Sequence, residues 1–226
     1  DAHGGAAYFE VHDLGYTRFD AGDSAEGYLI RTNYSMTGRE GEGKGYDRYD
    51  ITASLMAEHQ GGFGPEWIID KLGREATIAR GKTISSVVFE GIGQGDSTGS
   101  TVIWGAAGYT PYCYAIPVWA AAGGLIPEPL RKSSGQGSDM NELAFQSLKA
   151  AGDIEPDKDG NFIPTGRQAQ LMREARLAED REIQEGRLLD ARFRSQGFDA
   201  DAVKEYNKEV AARFRKFRNI IWKTGR

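Results

Sequence analysis

The chain changes character near residue 130, and this change limits the folds that it can adopt. Before residue 130, short segments rich in Val, Ile, Tyr and Phe alternate with turns, which is the pattern of a sheet. Two helices interrupt these segments, one predicted at 47–59 and one that begins at Pro65 and ends at Gly73. Helices inserted between antiparallel hairpins predict an α+β fold, with a layered sheet that carries helices on one face. The predicted strands are 6–12, 16–19, 28–33, 83–90, 101–105 and 112–118.

After residue 130 the pattern is helical and charged. Helices are predicted at 138–151, 167–195 and 199–222, and Gly197 marks a tight connection between the last two. We therefore expect an antiparallel helical hairpin that packs on the body of the protein or on a second subunit, which leaves a homo-oligomer open. The last helix has one apolar face, formed at spacings of three and four by Val203, Tyr206, Val210, Phe214, Phe217 and Ile221.

Charge is distributed unevenly along the chain. The net charge is -5, but residues 166–226 hold 15 Lys/Arg against 10 Asp/Glu, which leaves 13 against 23 in residues 1–165. A basic tail and an acidic body attract each other, so the default is a tail docked on an acidic body. The alternative is an RNA or anionic-membrane contact through the basic and aromatic run 213–218, although a nucleic-acid partner is not favoured. No window approaches the roughly 18 apolar residues of a membrane span, so no transmembrane segment is predicted.

Several kinds of site are not supported by the residues present. His3, His12 and His59 have no metal-ligand spacing, so neither a metal nor another cofactor is predicted. The glycine-rich loop 91–100 has its third glycine one position too early for a dinucleotide fingerprint and is followed by a strand, so it is interpreted as a mobile hairpin connection. The loop 157–161 lacks the glutamate of a calcium loop and is interpreted as a polar turn.

Cys113 is the single cysteine of the chain. It lies in an aromatic segment of a kind that faces a core or pocket, so we expect an inert, buried thiol rather than a nucleophile. No Gly-x-Ser-x-Gly motif is present, and no serine has an obvious histidine partner.

The most informative stretch for chemistry is 27–55, in which a predicted strand ends at Asn33 and a predicted helix begins near Arg48. A carboxamide at a strand end offers two N–H donors to a developing oxyanion, and an arginine beside it can hold an anion or a carbonyl. Tyr28 and Tyr34 are candidates for lining a substrate pocket, although aromatic residues beside a sheet commonly belong to the core. Asn33 could also be a turn former at the strand end, and Arg48 a packing residue of its helix.

The segment 27–55, together with 1–11 and 83–118, resembles the N-terminal nucleophile (Ntn) amidohydrolases of the choloylglycine hydrolase and acyl-coenzyme A:6-aminopenicillanic-acid acyltransferase group. Residues 1–11 are similar to the Asp-x-x-Gly-x-x-x-x-Phe-Glu strand of that group, and residues 83–118 are similar to its later hairpin. The resemblance implies an αββα sandwich, partly present in 1–130. Residues 131–226 are then a helical extension that has no clear counterpart in the family.

The resemblance also implies a reaction. In this group an N-terminal cysteine, freed by processing, attacks a linear amide, and its own α-amine acts as the base. The asparagine that matches Asn33 donates to the oxyanion, and the arginine that matches Arg48 lies beside the nucleophile. The family's cysteine would lie upstream of Asp1, so we expect a fragment of a linear amide hydrolase or acyltransferase that is inactive by itself. Its partners would be a small-molecule amide and the missing nucleophile segment.

An alternative of another class remains open. The same sheet could serve as a non-catalytic binding or assembly module that dimerises through its C-terminal amphipathic helix. The sequence indicates neither a compartment nor a particular acyl group or amine.

Overall fold

The computed structural model describes residues 7–12, 15–20, 30, 32, 45–59, 62–93, 95–132, 137–155 and 162–224. The chain divides into two compact units, Asp1–Gly61 and Gly62–Arg226. Strands and helices occur in both units, so the predicted α+β class is confirmed. None of the helices described is long and apolar enough to cross a lipid bilayer.

The described residues of the first unit form an antiparallel hairpin and a helix. Strand β1 (Ala7–His12) pairs with β2 (Gly15–Asp20) in the register that places Tyr8 opposite Phe19. Helix α1 (Tyr46–Glu58) follows Gly45, whose φ of 89° is the left-handed conformation that glycine adopts without strain. These elements confirm the strands and the helix predicted at 6–12, 16–19 and 47–59.

The strand predicted at 28–33 falls mainly on residues outside the described ranges. Its two described residues, Ile30 and Thr32, lie in irregular backbone rather than in a strand. The end of the predicted strand at Asn33 lies outside the described residues.

The second unit contains an antiparallel sheet of three strands in the order β3-β4-β5. These are β3 (Ser85–Glu90), β4 (Val102–Ala107) and β5 (Ile116–Trp119). The glycine-rich loop at 91–100 joins β3 to β4, as predicted for a hairpin connection. Strand β5 begins later than the predicted residue 112, because Pro111 has no N–H for a sheet ladder and instead forms a 3₁₀ turn over Thr110–Tyr112.

The helices of this unit begin and end close to their predicted positions. Helix α2 (Pro65–Trp67) continues as a π-helical turn, Ile68–Leu72, and is followed by α3 (Asp139–Ala151), α4 (Gly166–Gln196) and α5 (Ala200–Thr224). The Ser138 hydroxyl accepts a hydrogen bond from the Asn141 N–H at 3.2 Å and caps α3. Thr165 and Gln168 form a capping box at the start of α4.

One face of the sheet packs against the helices. Gly186 of α4 lies so close to the sheet that a Cβ there would be 2.8 Å from Cγ of Pro117 and 3.1 Å from the Trp104 ring. The predicted hairpin that packs on the body is confirmed, because the apolar face of α5 is buried within the unit at Val203, Tyr206, Val210, Phe214, Phe217 and Ile221. Strands therefore give way to long helices near residue 130, but the residues before and after this point belong to one unit and pack in one core.

The other face of the sheet is apolar and open along β3. Val87 and Phe89 point to this face and are 48% and 70% exposed, and Ile103, opposite Phe89, is only half-buried. Leu130 lies over the sheet at Gly105, farther from this edge. Sheet faces built from Val, Ile and Phe are normally covered, so this surface is unusual for an isolated unit.

Basic residues of the helical tail pair with acidic residues of the preceding segments. Arg176 of α4 contacts Asp70 at 2.8 Å, and Arg187 contacts Glu66 at 2.9 Å. Further pairs join Arg194 to Asp96 and Arg215 to Glu128. The expectation that the basic tail docks on an acidic body is confirmed within the second unit.

The interpretation of 213–218 as a nucleic-acid contact is wrong, because it requires exposed aromatic rings in this run. Phe214 and Phe217 are buried in the core, so they cannot stack on bases, and the Arg213 guanidinium is held by Glu182 at 2.7 Å. Arg213 and both phenylalanines therefore stabilise the fold.

A buried ion pair joins α4 to the rest of the core. The Arg74 guanidinium donates to both oxygens of Glu179, at 2.6 and 2.9 Å, and to the Cys113 carbonyl at 3.2 Å. The Ala115 N–H donates to the same carboxylate at 2.8 Å. Although burial opposes it, the carboxylate of Glu179 raises the pKa of Arg74, so the guanidinium stays charged.

We predict that Glu179→Ala destabilises the protein by about 3–5 kcal/mol, because Arg74 is then left buried without its counterion. Arg176→Ala breaks the exposed pair with Asp70 across the same interface and should cost less than about 1 kcal/mol. The double variant Arg74→Met, Glu179→Leu should recover most of the loss, since apolar side chains of similar volume replace the pair. Urea unfolding of the three variants tests this, and equal losses for Glu179→Ala and Arg176→Ala would contradict it.

Candidate functional site

The described geometry nearest to the predicted site is a hydrogen bond within the first unit. The Thr32 hydroxyl donates to the Gly45 carbonyl at 3.0 Å, and this carbonyl also accepts the first helical hydrogen bond of α1 from the Tyr49 N–H at 3.1 Å. The bond joins two points that are 13 residues apart in the sequence. It therefore ties the residue before Asn33 to the residue that begins the helix of Arg48.

Arg48 lies in the first turn of α1 and is half-buried. A cation is unfavourable at this end of a helix, where the unpaired N–H groups carry positive charge, and Asp47 in the same turn offsets part of that cost. Helix electrostatics alone thus give no reason for an arginine at this position. Arg48 makes interactions within the described structure, and its role in a site stays a prediction.

The other predicted site residues, Asn33, Tyr34 and Tyr28, lie outside the described residues, and their roles remain predictions. Two further aromatic residues are described on α1. The Tyr46 and Tyr49 rings stack with centroids 6.3 Å apart, and no residue of this helix is fully buried.

Cys113 is a buried thiol. It is completely buried beside the Arg74–Glu179 pair, and burial raises the pKa of its thiol to about 12 although the Arg74 charge acts in the opposite direction. Since the thiolate is the nucleophile, a group with this pKa is not reactive near neutral pH. The expectation that this cysteine is buried is confirmed, and its inertness stays a prediction.

The described ranges contain no group of three or more His, Cys, Asp or Glu residues that could hold a metal ion. His3 and the loop 157–161 lie outside those ranges.

Sequence reasoning missed the buried charges of α4. The buried residues of this helix follow a spacing of three and four, and three of them, Glu179, Glu182 and Asp190, are acidic. Glu182 accepts a hydrogen bond from the Tyr206 hydroxyl at 2.6 Å and binds Arg213 at 2.7 Å. The signal was present in the sequence as a continuous stripe with acidic members, Leu171, Ala175, Glu179, Glu182, Gly186, Asp190 and Phe193.

Comparison with known proteins identifies no relative. No protein-family model matches the chain, and no curated protein and no solved structure matches it either.

We predict that Cys113 does not react with a thiol-specific aromatic disulfide at pH 8 in the folded chain and reacts fully in denaturant. Burial and a pKa of about 12 both suppress the thiolate in the folded state, whereas an unfolded cysteine has a pKa of about 8.5. Absorbance of the released thiol measures the reaction. Rapid stoichiometric labelling without denaturant would show that the thiol is accessible.

Proposed function

We propose that the chain carries the oxyanion side of an Ntn-type linear amide hydrolase or acyltransferase. The observation that supports this most directly is the 3.0 Å hydrogen bond from Thr32 to the Gly45 carbonyl. The bond holds Thr32, the residue that precedes Asn33 in the sequence, against the start of α1, whose first turn contains Arg48. In the proposed reaction the Asn33 carboxamide donates to the oxyanion that forms on the amide carbonyl.

Arg48 has a different role in this proposal. Its guanidinium, at the start of α1, provides a fixed positive charge beside the attacking sulfur and stabilises the thiolate. Tyr28 and Tyr34 would contact the acyl or amine portion of the substrate through their rings.

The proposed fold is the αββα sandwich of the same enzyme group. The open face at Val87, Phe89 and Ile103 supports it, because a sheet that has helices on one side and apolar side chains on the other is suited to pack against a second sheet. In a sandwich of this kind the inner faces of two sheets interdigitate, and both outer faces carry helices.

The nucleophile of the proposed reaction is not among residues 1–226. The only cysteine, Cys113, is buried and has a raised pKa, so the attacking thiol and its α-amine base would come from an N-terminal segment that is not in this sequence. We therefore propose that the chain alone does not cleave amides and that the nucleophile segment completes the site.

We predict that Asn33→Ala, in the protein that includes a nucleophile segment, lowers kcat for linear amides by about 100-fold, equivalent to about 3 kcal/mol of barrier, because one oxyanion donor is lost. The control is Asn219→Ala, on the exposed surface of α5, which should leave kcat unchanged. Steady-state release of amine from a panel of acyl amides measures the effect. Turnover by residues 1–226 alone, or equal rates in both variants, would overturn the assignment.

We also predict that Phe89→Thr destabilises that protein by about 2 kcal/mol, because a second sheet would bury this ring and threonine keeps the β propensity. The control is Leu188→Gln on α4, since Leu188 is 69% exposed and Phe89 is 70% exposed in the described structure. The control should change the free energy of unfolding by less than about 0.5 kcal/mol. Equal and small effects in both variants would count against a covering sheet.

The second candidate function is an assembly module without catalysis. The apolar face of α5 is already buried within the unit, so dimerisation through that face is not available. The same open face of β3 is the observation that favours self-association, now between two copies. Sedimentation at several concentrations distinguishes the candidates: a dimer that Phe89→Thr dissociates supports the module, and a monomer supports the enzyme part.

A further inference from the structure

A groove on the second unit lies apart from the proposed amide site. It has a volume of about 560 Å³ and runs between α3, the first turns of α4 and the last turns of α5. Its floor is apolar, formed by Leu143, Leu171, Ile221 and the exposed ring of Trp222. This volume and apolar lining fall in the range of small-molecule sites, which are about 300–1,000 Å³.

Arg218 is the distinctive charged residue of the groove. It is half-buried, yet it has no hydrogen bond or ion pair with the residues that the structure describes. Two other half-buried arginines of the long helices, Arg187 and Arg213, are held by carboxylates at 2.9 and 2.7 Å. A guanidinium that is partly withdrawn from water and has no counterion favours an anionic ligand, since its donors match a carboxylate bidentately.

Two carboxylates and one further arginine also line the groove. Asp139 and Glu142 of α3 would repel a second anionic group, and Arg167 of α4 makes interactions of its own, so a ligand with a single negative charge at Arg218 fits best. Glu142 already accepts a hydrogen bond from Gln146 at 2.7 Å. A ligand with one carboxylate at Arg218 and an aliphatic chain on the floor satisfies both the charge and the apolar surface.

We propose that this groove binds an amphipathic monocarboxylate of the fatty-acid class, independently of the proposed amidase function. The carboxylate pairs with Arg218, and the chain lies against Leu143, Leu171 and Trp222. The proposal involves no catalytic step, so equilibrium binding of the ligand to the groove can be measured on residues 1–226 alone.

Isothermal titration of the chain with decanoate and with decanol tests the proposal. Decanoate should bind at least about tenfold more tightly than decanol, because an ion pair of this kind contributes roughly 1.5 kcal/mol or more. Arg218→Gln should remove this preference. Arg173→Gln, at an exposed arginine of α4 outside the groove, should leave it intact.

Trp222→Gln is a second variant, and it leaves the charge of Arg218 in place. Trp222 is largely exposed, so the fold should tolerate the change, and both decanoate and decanol should bind more weakly while their ratio is kept. The proposal is overturned if decanoate does not bind the unmodified chain, if decanol binds equally well, or if Arg173→Gln weakens decanoate as much as Arg218→Gln.

Discussion

The buried pair between Arg74 and Glu179 is the constraint on which the arrangement of the second unit depends. A buried ion pair adds little net stability compared with well-packed apolar residues, but a buried charge that is separated from its partner is strongly destabilising. Here the carboxylate also receives the Ala115 N–H, and the guanidinium donates to the Cys113 carbonyl, so α4 is fixed against the segment that enters β5. Gly186, two turns further along α4, then contacts Trp104 and Pro117 closely.

A second buried pair extends this arrangement to α5. Glu182 lies three residues after Glu179 and holds both Arg213 and the Tyr206 hydroxyl. Because burial and the neighbouring carboxylates of Glu182 and Glu185 raise the pKa of Tyr206 well above its ordinary value, the hydroxyl stays protonated and keeps donating. The helical tail is therefore an integral part of the core, and one side of the sheet is fully occupied. The apolar surface at Val87 and Phe89 is left on the other side, where the proposed sandwich would have its second sheet.

The regular elements could be predicted from sequence because their signals are local. Ser138 and Thr165 cap helices, Gly152 and Gly197 end them with positive φ, and the alternation of β3 and β4 reports their two faces. Arg48 was likewise placed correctly at the start of a helix. The pairing of Arg74 with Glu179 spans 105 residues, and no local pattern indicates which distant charge will meet which. The apolar stripe of α4 is weak in the sequence because two of the positions that the structure buries are glutamates.

The proposed chemistry depends on two residues, Asn33 and Arg48, that are much closer to each other in the sequence than Arg74 and Glu179. The bond from Thr32 to Gly45 brings these two residues together, and in the proposed function Asn33 would supply the oxyanion donor. A tyrosine pair on α1 and a half-buried arginine at its start give this end of the helix a mixed polar and aromatic surface. Such a surface suits a substrate that has a polar amide and an apolar acyl chain.

The most direct test relies on the burial of Cys113, the single cysteine of the chain, which we expect to leave introduced cysteines as the only reactive thiols. Spin labels attached to the double variant Asn33→Cys, Arg48→Cys should show strong dipolar broadening in the electron paramagnetic resonance spectrum, compared with the sum of the two single variants. A pair at Asn33→Cys and Glu58→Cys, at the far end of α1, provides the control and should show less broadening, because the helix separates positions 48 and 58 by about 15 Å. A spectrum of the first pair equal to the sum of its singles would contradict convergence of the carboxamide and the guanidinium on one site.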